Sequence, residues 1–130
     1  HSAALTNGSV GIMQGFKSFM LQSEDGSETL PTSSLASGIN FYSAGPEHAY
    51  LKQIGRVNYT FATDEKAFEA FQLLCKTEGI LPAFEPSFAL AKTIELAKKM
   101  SGKILVCNIC GRGDKDIDTA EKMLGDKLDK

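Results

Sequence analysis

Apolar residues recur at helical spacing in the middle of the chain. Pro46 suits the first turn of a helix that runs to Ile54 and is closed by Gly55. Thr63 can cap a second helix, which ends at Gly79. The apolar residues that share one face of this second helix are Ala67, Phe68, Phe71, Leu74 and Cys75. Both segments are therefore predicted to be amphipathic helices.

Two further helices are predicted in the last third of the chain. One starts near Pro86 and ends at Ser101-Gly102, and its apolar face holds Leu90, Ile94 and Ala97. The other covers Asp114 to Leu128, and the residues expected to point inward are Ile117, Leu124 and Leu128.

Short apolar runs lie between these helices and predict β-strands. Arg56 to Ala62 alternates in polarity, Ile80 to Phe84 is short and apolar, and Lys103 to Cys110 is nearly all apolar. The order from residue 46 onward is then α-β-α-β-α-β-α. Such alternation predicts an α/β fold with a mostly parallel sheet and helices packed against it.

The beginning of the chain lacks this alternation. Ser9 to Gln14 and Phe19 to Gln22 are two apolar stretches compatible with a hairpin. Thr29 to Ala44 is rich in Ser, lacks clear periodicity and is predicted to be a long ordered loop, a kind of segment that often has a function. A length of 130 residues predicts one domain, made of the hairpin and loop (1–45) and the alternating units (46–130).

Composition narrows the class of protein. A net charge of -2 predicts no nucleic-acid partner and no anionic membrane surface, and no apolar run is long enough to cross a bilayer. Three cysteines are an odd number for a disulfide framework, which favours a reduced, cytoplasmic setting. The chain opens on His1 without an initiating Met, so we expect a fragment of a longer protein.

Glu85 and Cys110 are the candidates for chemistry, because both follow predicted strands. Ligands of open α/β sheets bind outside the carboxyl ends of the strands, so the two loops are expected to face one crevice. Glu85 has the alternative role of a charge that stabilises a helix N-terminus. Cys110 can present a weak S–H donor, and Gly111-Arg112-Gly113 leaves backbone amides for an anion, although a single G-x-G is weak evidence.

Other polar residues have more ordinary interpretations. Cys107 and Cys110 form a C-x-x-C, but an odd separation along a strand points them to opposite faces and no second pair completes a metal site. Arg112 or Lys115 is either the partner of a phosphate or carboxylate or a solvated surface charge. His48 is interpreted as a helix-packing histidine.

Six stretches, in this order, resemble the tryptophan synthase β family, and together they span nearly the whole chain. They are His1-Ser2-Ala3, Val10-Gly11-Ile12, Gln22-Ser23-Glu24-Asp25-Gly26, Gly45-Pro46-Glu47-His48-Ala49-Tyr50-Leu51, Glu78-Gly79-Ile80-Leu81-Pro82-Ala83-Phe84-Glu85, and Gly111-Arg112-Gly113-Asp114-Lys115-Asp116. The resemblance is to the C-terminal part of the family's chain and implies a three-layer α/β/α domain.

The resemblance implies an activity and two site residues. Members of the family condense L-serine with indole to give L-tryptophan and use pyridoxal phosphate as the electron sink. Glu85 matches the acidic residue expected to assist proton transfer and to orient indole. Cys110 stands where the family usually has a Ser that donates a hydrogen bond to the pyridine nitrogen, and Gly111 follows it at the cofactor.

The first part of the chain carries the implied substrate and cation residues. Met13 and Gln14 stand where the family has aromatic residues along the indole tunnel; core packing is the alternative for Met13. Asn40 stands where the family has an Asp that pairs with an Arg of the mobile domain, and Asn cannot form that ion pair. The backbone carbonyls of Phe41 and Ser43 match the family's monovalent-cation loop, for Na⁺ or K⁺.

The resemblance also implies what the rest of the protein supplies. The family's Schiff-base lysine, its phosphate cradle and the mobile domain that contacts the α subunit lie N-terminal to the matched part. We therefore expect this chain to be inactive alone and to need the rest of the β chain, the α subunit and a second copy in a homodimer. The alternatives are a non-catalytic binding module that kept the fold, favoured by Met13, Gln14 and Asn40, and a relative with another β-replacement or elimination activity, favoured by Cys110.

Overall fold

The computed structural model describes the backbone of residues 1–128 and the side chains of residues 1–125. The chain forms two compact units, one from His1 to Phe61 and one that starts at Ala62. The sequence analysis predicted an internal boundary earlier in the chain, at residue 45. That the whole chain is a single domain stays a prediction.

The first unit is built on a hairpin. A short helix α1 (Ala4–Asn7) leads into β1 (Ser9–Met13) and β2 (Phe16–Met20), which pair antiparallel. Gln14 and Gly15 form the turn with φ of 47° and 88°. A two-residue turn with positive φ at both positions matches the twist of the strands, which is why Gly follows Gln here. The predicted hairpin is confirmed, with β2 starting three residues earlier than expected.

The long loop packs back on this hairpin before the next helix starts. It contains one 3₁₀ turn, Ser37–Ile39, and is otherwise irregular, as predicted. The Leu21 amide donates to the Tyr42 carbonyl at 2.7 Å, and the buried Ser18 hydroxyl donates to the Ala44 carbonyl at 2.6 Å. Helix α2 (Pro46–Gln53) follows, and it starts at Pro46 as the sequence predicts.

The second unit is mainly helical. It contains α3 (Asp64–Glu78), α4 (Phe84–Ala97), a 3₁₀ turn (Asp114–Asp116) and α5 (Ile117–Leu128). The predicted ends of α3 are confirmed: the Thr63 hydroxyl accepts from the Lys66 amide at 3.4 Å, and Gly79 takes the left-handed conformation with φ of 67°.

An aromatic cluster forms the core between α3 and α4. Phe68 and Phe84 are fully buried and Phe71 nearly so, with ring centroids 5.0 to 6.3 Å apart. Rings at these separations in tilted or stacked arrangements add to the energy of burial. The apolar face predicted for α3 is the face that packs here.

The last two helices differ in detail from the sequence prediction. Helix α4 starts at Phe84 rather than Pro86 and ends at Ala97. Its first turn is fixed by the Asp116 carboxylate, which accepts a hydrogen bond from the Phe84 amide. Ile117 and Leu124 were expected inward but are 41% and 40% exposed, whereas Ala120 is buried. In the described part, α5 packs mainly against the preceding 3₁₀ turn. This short turn covers little of the apolar face of the helix. The Leu128 side chain lies outside the described residues.

Three predicted strands are not formed within residues 1–128. The segments 56–62, 80–83 and 103–110 belong to no helix or sheet, and β1 with β2 is the sheet of the described chain. A strand needs the backbone hydrogen bonds of a neighbour, and these segments find none here. Ile104 and Val106 are 93% and 92% exposed as a result. The described residues thus contain both helix and strand, without the predicted parallel sheet.

Among the residues that the structure describes, no helix combines the length and apolar character needed to span a bilayer.

Candidate functional site

Glu85 lies in the first turn of α4, where helix geometry favours a negative charge. Its side chain is 20% exposed, and the residues on either side of it, Phe84 and Pro86, are buried. The backbone amides at a helix N-terminus carry partial positive charge, which stabilises a carboxylate at this position. The helix start is held by the Asp116 Oδ2, which accepts from the Phe84 amide at 2.9 Å.

Lys115 joins Glu85 to Asp116. Its Nζ lies 2.9 Å and 3.2 Å from the two Glu85 carboxylate oxygens and 2.8 Å from each Asp116 oxygen. Partial burial by itself lowers the pKa of Lys115, but the hydrogen bonds to Asp116 and Glu85 outweigh it, so the pKa is raised above its ordinary value. The ammonium is therefore held in its charged form between two carboxylates.

The turn that carries Cys110 packs directly on the segment before α4. Gly111 has φ of 76°, and a Cβ there would lie 3.3 Å from the Ala83 Cβ. A Cβ at Gly113 would clash with the carbonyl oxygen of Pro82 and lie 2.7 Å from that of Leu81. Glycine is needed at both positions, by conformation at the first and by close approach at the second. The two loops that the sequence expected to share a crevice do lie against each other, although the strands are absent.

The other polar residues of this turn are exposed. Cys110 is an exposed free thiol, and Arg112 Nε lies 3.6 Å from Asp114 Oδ1 in a solvated ion pair. Cys107 is half-buried and free, and burial raises the pKa of the Cys75 thiol. In the described residues no cluster of His, Cys, Asp and Glu is arranged to hold a metal ion.

The predicted substrate and cation residues belong to the first unit. Met13 is buried at the end of β1, and Gln14 is exposed in the hairpin turn. Asn40 and Phe41 are exposed in the loop that precedes α2. The Ser43 hydroxyl donates to the Phe19 carbonyl at 3.1 Å, which ties this loop to β2.

A second cluster in the first unit surrounds α2. His48 was predicted to be a helix-packing histidine; its side chain is exposed, and its Nδ1 lies 2.9 Å from the Tyr59 hydroxyl. Lys52 donates to the Leu5 carbonyl and lies 4.0 Å above the Phe19 ring. An open cleft of about 420 Å³ lies beside Leu5, Lys52 and Tyr59, and it is lined by none of the predicted site residues.

Sequence reasoning missed the ion network around Glu85. Sequence reasoning identified no ionic partner for Glu85, whereas Lys115 supplies one from 30 residues away. It named Lys115 as a possible carboxylate partner without identifying the carboxylate, and it assigned no role to Asp116. The sequence did offer one indication of this network. The crevice predicted between the two loops brings residues 114–116 to the start of α4.

Comparison with known proteins connects this chain with a family. No protein-family model matches the chain. Curated relatives do: the tryptophan synthase beta chain of Jannaschia sp. (strain CCS1) is 48% identical over 130 residues, 99% of this chain and 32% of the relative. Those of Mycobacterium leprae (strain TN) and Allorhizobium ampelinum are 48% and 49% identical over 126 residues, 96% of this chain and 30% and 31% of the relatives.

The chain belongs to the tryptophan synthase beta chain family. It spans about a third of the length of the curated relatives it matches. Near half identity over almost every residue favours part of a tryptophan synthase beta chain over a stand-alone binding module that kept only the fold.

Proposed function

We propose that this chain is the C-terminal part of a tryptophan synthase β chain, which condenses L-serine with indole to give L-tryptophan with pyridoxal phosphate. The observation that carries the proposal is the packing of Gly111 and Gly113 on residues 81–83. That packing places Gly111 against Ala83, the residue before the helix that carries Glu85, and Cys110 precedes Gly111 in the chain. We infer that a carboxylate for proton transfer and a donor to the cofactor ring, on neighbouring segments, would serve a β-elimination and replacement reaction.

Glu85 is the proposed catalytic residue. Bound pyridoxal phosphate supplies an electron sink for the bonds that break at the serine carbons. The Glu85 carboxylate moves a proton during loss of the serine hydroxyl and accepts a hydrogen bond from the indole N–H, which orients the ring. A partly exposed carboxylate at a helix N-terminus is available to accept a hydrogen bond from the indole N–H.

Cys110 and Gly111 are the proposed cofactor contacts. The exposed Cys110 thiol can donate to a ring nitrogen, and such a neutral donor leaves that nitrogen unprotonated. Gly111 brings the backbone close without a side chain in the way. We propose that these two residues hold the nitrogen edge of the cofactor. No glycine-rich helix start among the described residues would suit its phosphate, so we assign the phosphate cradle and the Schiff-base lysine to the rest of the β chain.

The first unit is proposed to supply the indole path and a cation loop. Met13 and Gln14 at the hairpin end, with Asn40 and Phe41, would line the path for indole. The carbonyls of Phe41 and Ser43 would bind Na⁺ or K⁺, since backbone oxygens are suitable ligands for such ions. The tie between Ser43 and Phe19 supports a fixed loop.

In the complete β chain, the segments 56–62, 80–83 and 103–110 are proposed to become strands of a mostly parallel sheet within a three-layer α/β/α domain. Ile104 and Val106 support this, because side chains so exposed and apolar gain most from new neighbours. The proposed partners are the rest of the β chain, the α subunit and a second β chain, in the cytoplasm.

A chimera tests the proposal. This chain replaces the matching segment of the Jannaschia relative, and tryptophan formation from L-serine and indole is measured. We expect activity, and we expect Glu85→Gln to lower kcat about 100-fold or more, because the proton-transfer group is lost. The matched control is Glu78→Gln, which changes an exposed glutamate at the end of α3. A folded, cofactor-loaded chimera that makes no tryptophan, or an unaffected Glu85→Gln variant, contradicts the proposal.

A further inference from the structure

The segment 103–110 shows the alternating burial of a β-strand. Its odd-numbered side chains are half-buried and its even-numbered ones are exposed; the half-buried residues are Leu105, Cys107 and Ile109, and the exposed ones are Ile104, Val106, Asn108 and Cys110. Side chains that alternate between two faces with a period of two are typical of a strand. One face of the segment is therefore partly covered, and the other faces solvent.

The backbone of this segment has no neighbouring strand. Within the described residues, no backbone hydrogen bond joins residues 104–109 to another part of the chain. Ile104 and Val106 are 93% and 92% exposed, so the open face is apolar as well. An exposed apolar strand with unpaired backbone groups is a template on which another chain can pair.

The sequence of the segment contains nothing that opposes such pairing. From Ile104 to Gly111 there is no charged residue, and residues 103–110 include neither Pro nor Gly. Natural edge strands use charges and prolines to prevent association, and short uncharged β-formers without them are prone to it. Lys103 is the charge nearest to the start of the segment.

Other strand-like parts of the described chain are less available as partners. The hairpin strands β1 and β2 pair with each other. Two amides at the start of the 56–61 segment already donate to the Leu51 carbonyl. The 80–83 segment is short, and its Pro82 has no amide donor. In a solution of this chain, the partner best matched to 103–110 is therefore the same segment of a second copy.

We propose that residues 103–110 are a self-pairing strand, through which two copies of this chain associate. A two-fold axis makes the paired strands antiparallel and the contact self-complementary. Antiparallel pairing sets the Lys103 ammonium groups of the two copies at opposite ends, whereas parallel pairing in register would place them side by side. The exposed Ile104 and Val106 of both copies then lie on one face and contact across the strands.

This contact differs from the homodimer proposed for the complete β chain. There the segment is proposed to lie within the chain's own sheet, where a second copy would have no free strand to pair with. The inference rests on the exposure and the sequence of the segment, and it does not depend on the proposed function.

Sedimentation velocity over a series of protein concentrations tests the association. A reductant is present throughout, so that the exposed Cys110 thiol cannot cross-link two copies. We expect a dimer that increases with concentration. Val106→Lys should weaken dimerisation about 10-fold or more, because it removes an apolar contact and sets like charges on neighbouring strands. Val106 is 92% exposed, so the circular dichroism of the variant should match that of the wild type.

The matched control is Leu73→Lys, which adds the same charge at an exposed apolar position on α3. It should dimerise like the wild-type chain. A chain that stays monomeric at every concentration overturns the proposal. Equal effects of the two substitutions would do the same, because association would then not depend on the 103–110 segment.

Hydrogen exchange followed by mass spectrometry locates the contact. Amide exchange in the peptide that covers residues 103–110 should slow as the concentration rises, because paired strands protect their amides. The peptide that covers the β1–β2 hairpin serves as the internal control and should exchange at the same rate at all concentrations. Association that protects the hairpin and leaves residues 103–110 unprotected would overturn the proposal.

Discussion

Two residues of the 113–116 segment determine where Glu85 lies. Asp116 accepts the backbone amide of the residue before it, and Gly113 lets the chain approach the carbonyls of Leu81 and Pro82. Both contacts depend on how closely two distant segments approach each other in the fold. The sequence therefore shows Gly113 and Asp116 but does not show what they contact. The position of Glu85 at a helix start was predictable because caps and prolines act locally.

Substitution of Gly113 tests the close approach. Gly113→Ala places a methyl group against two backbone carbonyls that cannot rotate away, and we expect it to destabilise the chain by about 1–3 kcal/mol. Urea unfolding followed by circular dichroism measures the loss. The matched control is Gly125→Ala in α5, where an added Cβ meets nothing within 4 Å and a helix gains stability. Equal stability of the two variants would show that the 113 turn does not pack on residues 81–82.

Helices and strands of this chain were not equally predictable from sequence. The start of α2 and both ends of α3 follow from Pro46, Thr63 and Gly79, each of which acts within one turn. The three predicted strands depend on partners distant in sequence, and within residues 1–128 those partners are missing. The Lys115–Glu85 pair is a contact of the same long-range kind, which is why spacing alone did not identify it.

The aromatic cluster is the main source of stability in the second unit. Phe68→Ala should lower the free energy of unfolding by about 3–5 kcal/mol, because it leaves a cavity beside two other buried rings. Leu73→Ala on the same helix is the control, since Leu73 is 47% exposed and should cost less than about 1 kcal/mol. Urea unfolding of both variants measures these two losses of stability. Similar losses in the two would contradict the assigned core.

The whole molecule combines a hairpin unit with a helical unit and spans about a third of its relatives. Its proposed catalytic carboxylate is in place and held by an ion network, whereas the phosphate cradle and Schiff-base lysine are assigned to the remaining two thirds of the β chain. Exposed apolar residues such as Ile104 and Val106 are consistent with surfaces completed by that remainder.

The most direct test of this division is a pyridoxal phosphate titration followed by borohydride reduction and intact mass, performed on this chain and on the chimera. We predict no stoichiometric adduct on the chain alone, only scattered labelling of surface lysines. We predict a single adduct on the chimera, at a lysine outside these 130 residues. A single stoichiometric adduct on one lysine of this chain would contradict the account, because it would place a complete cofactor site within these residues.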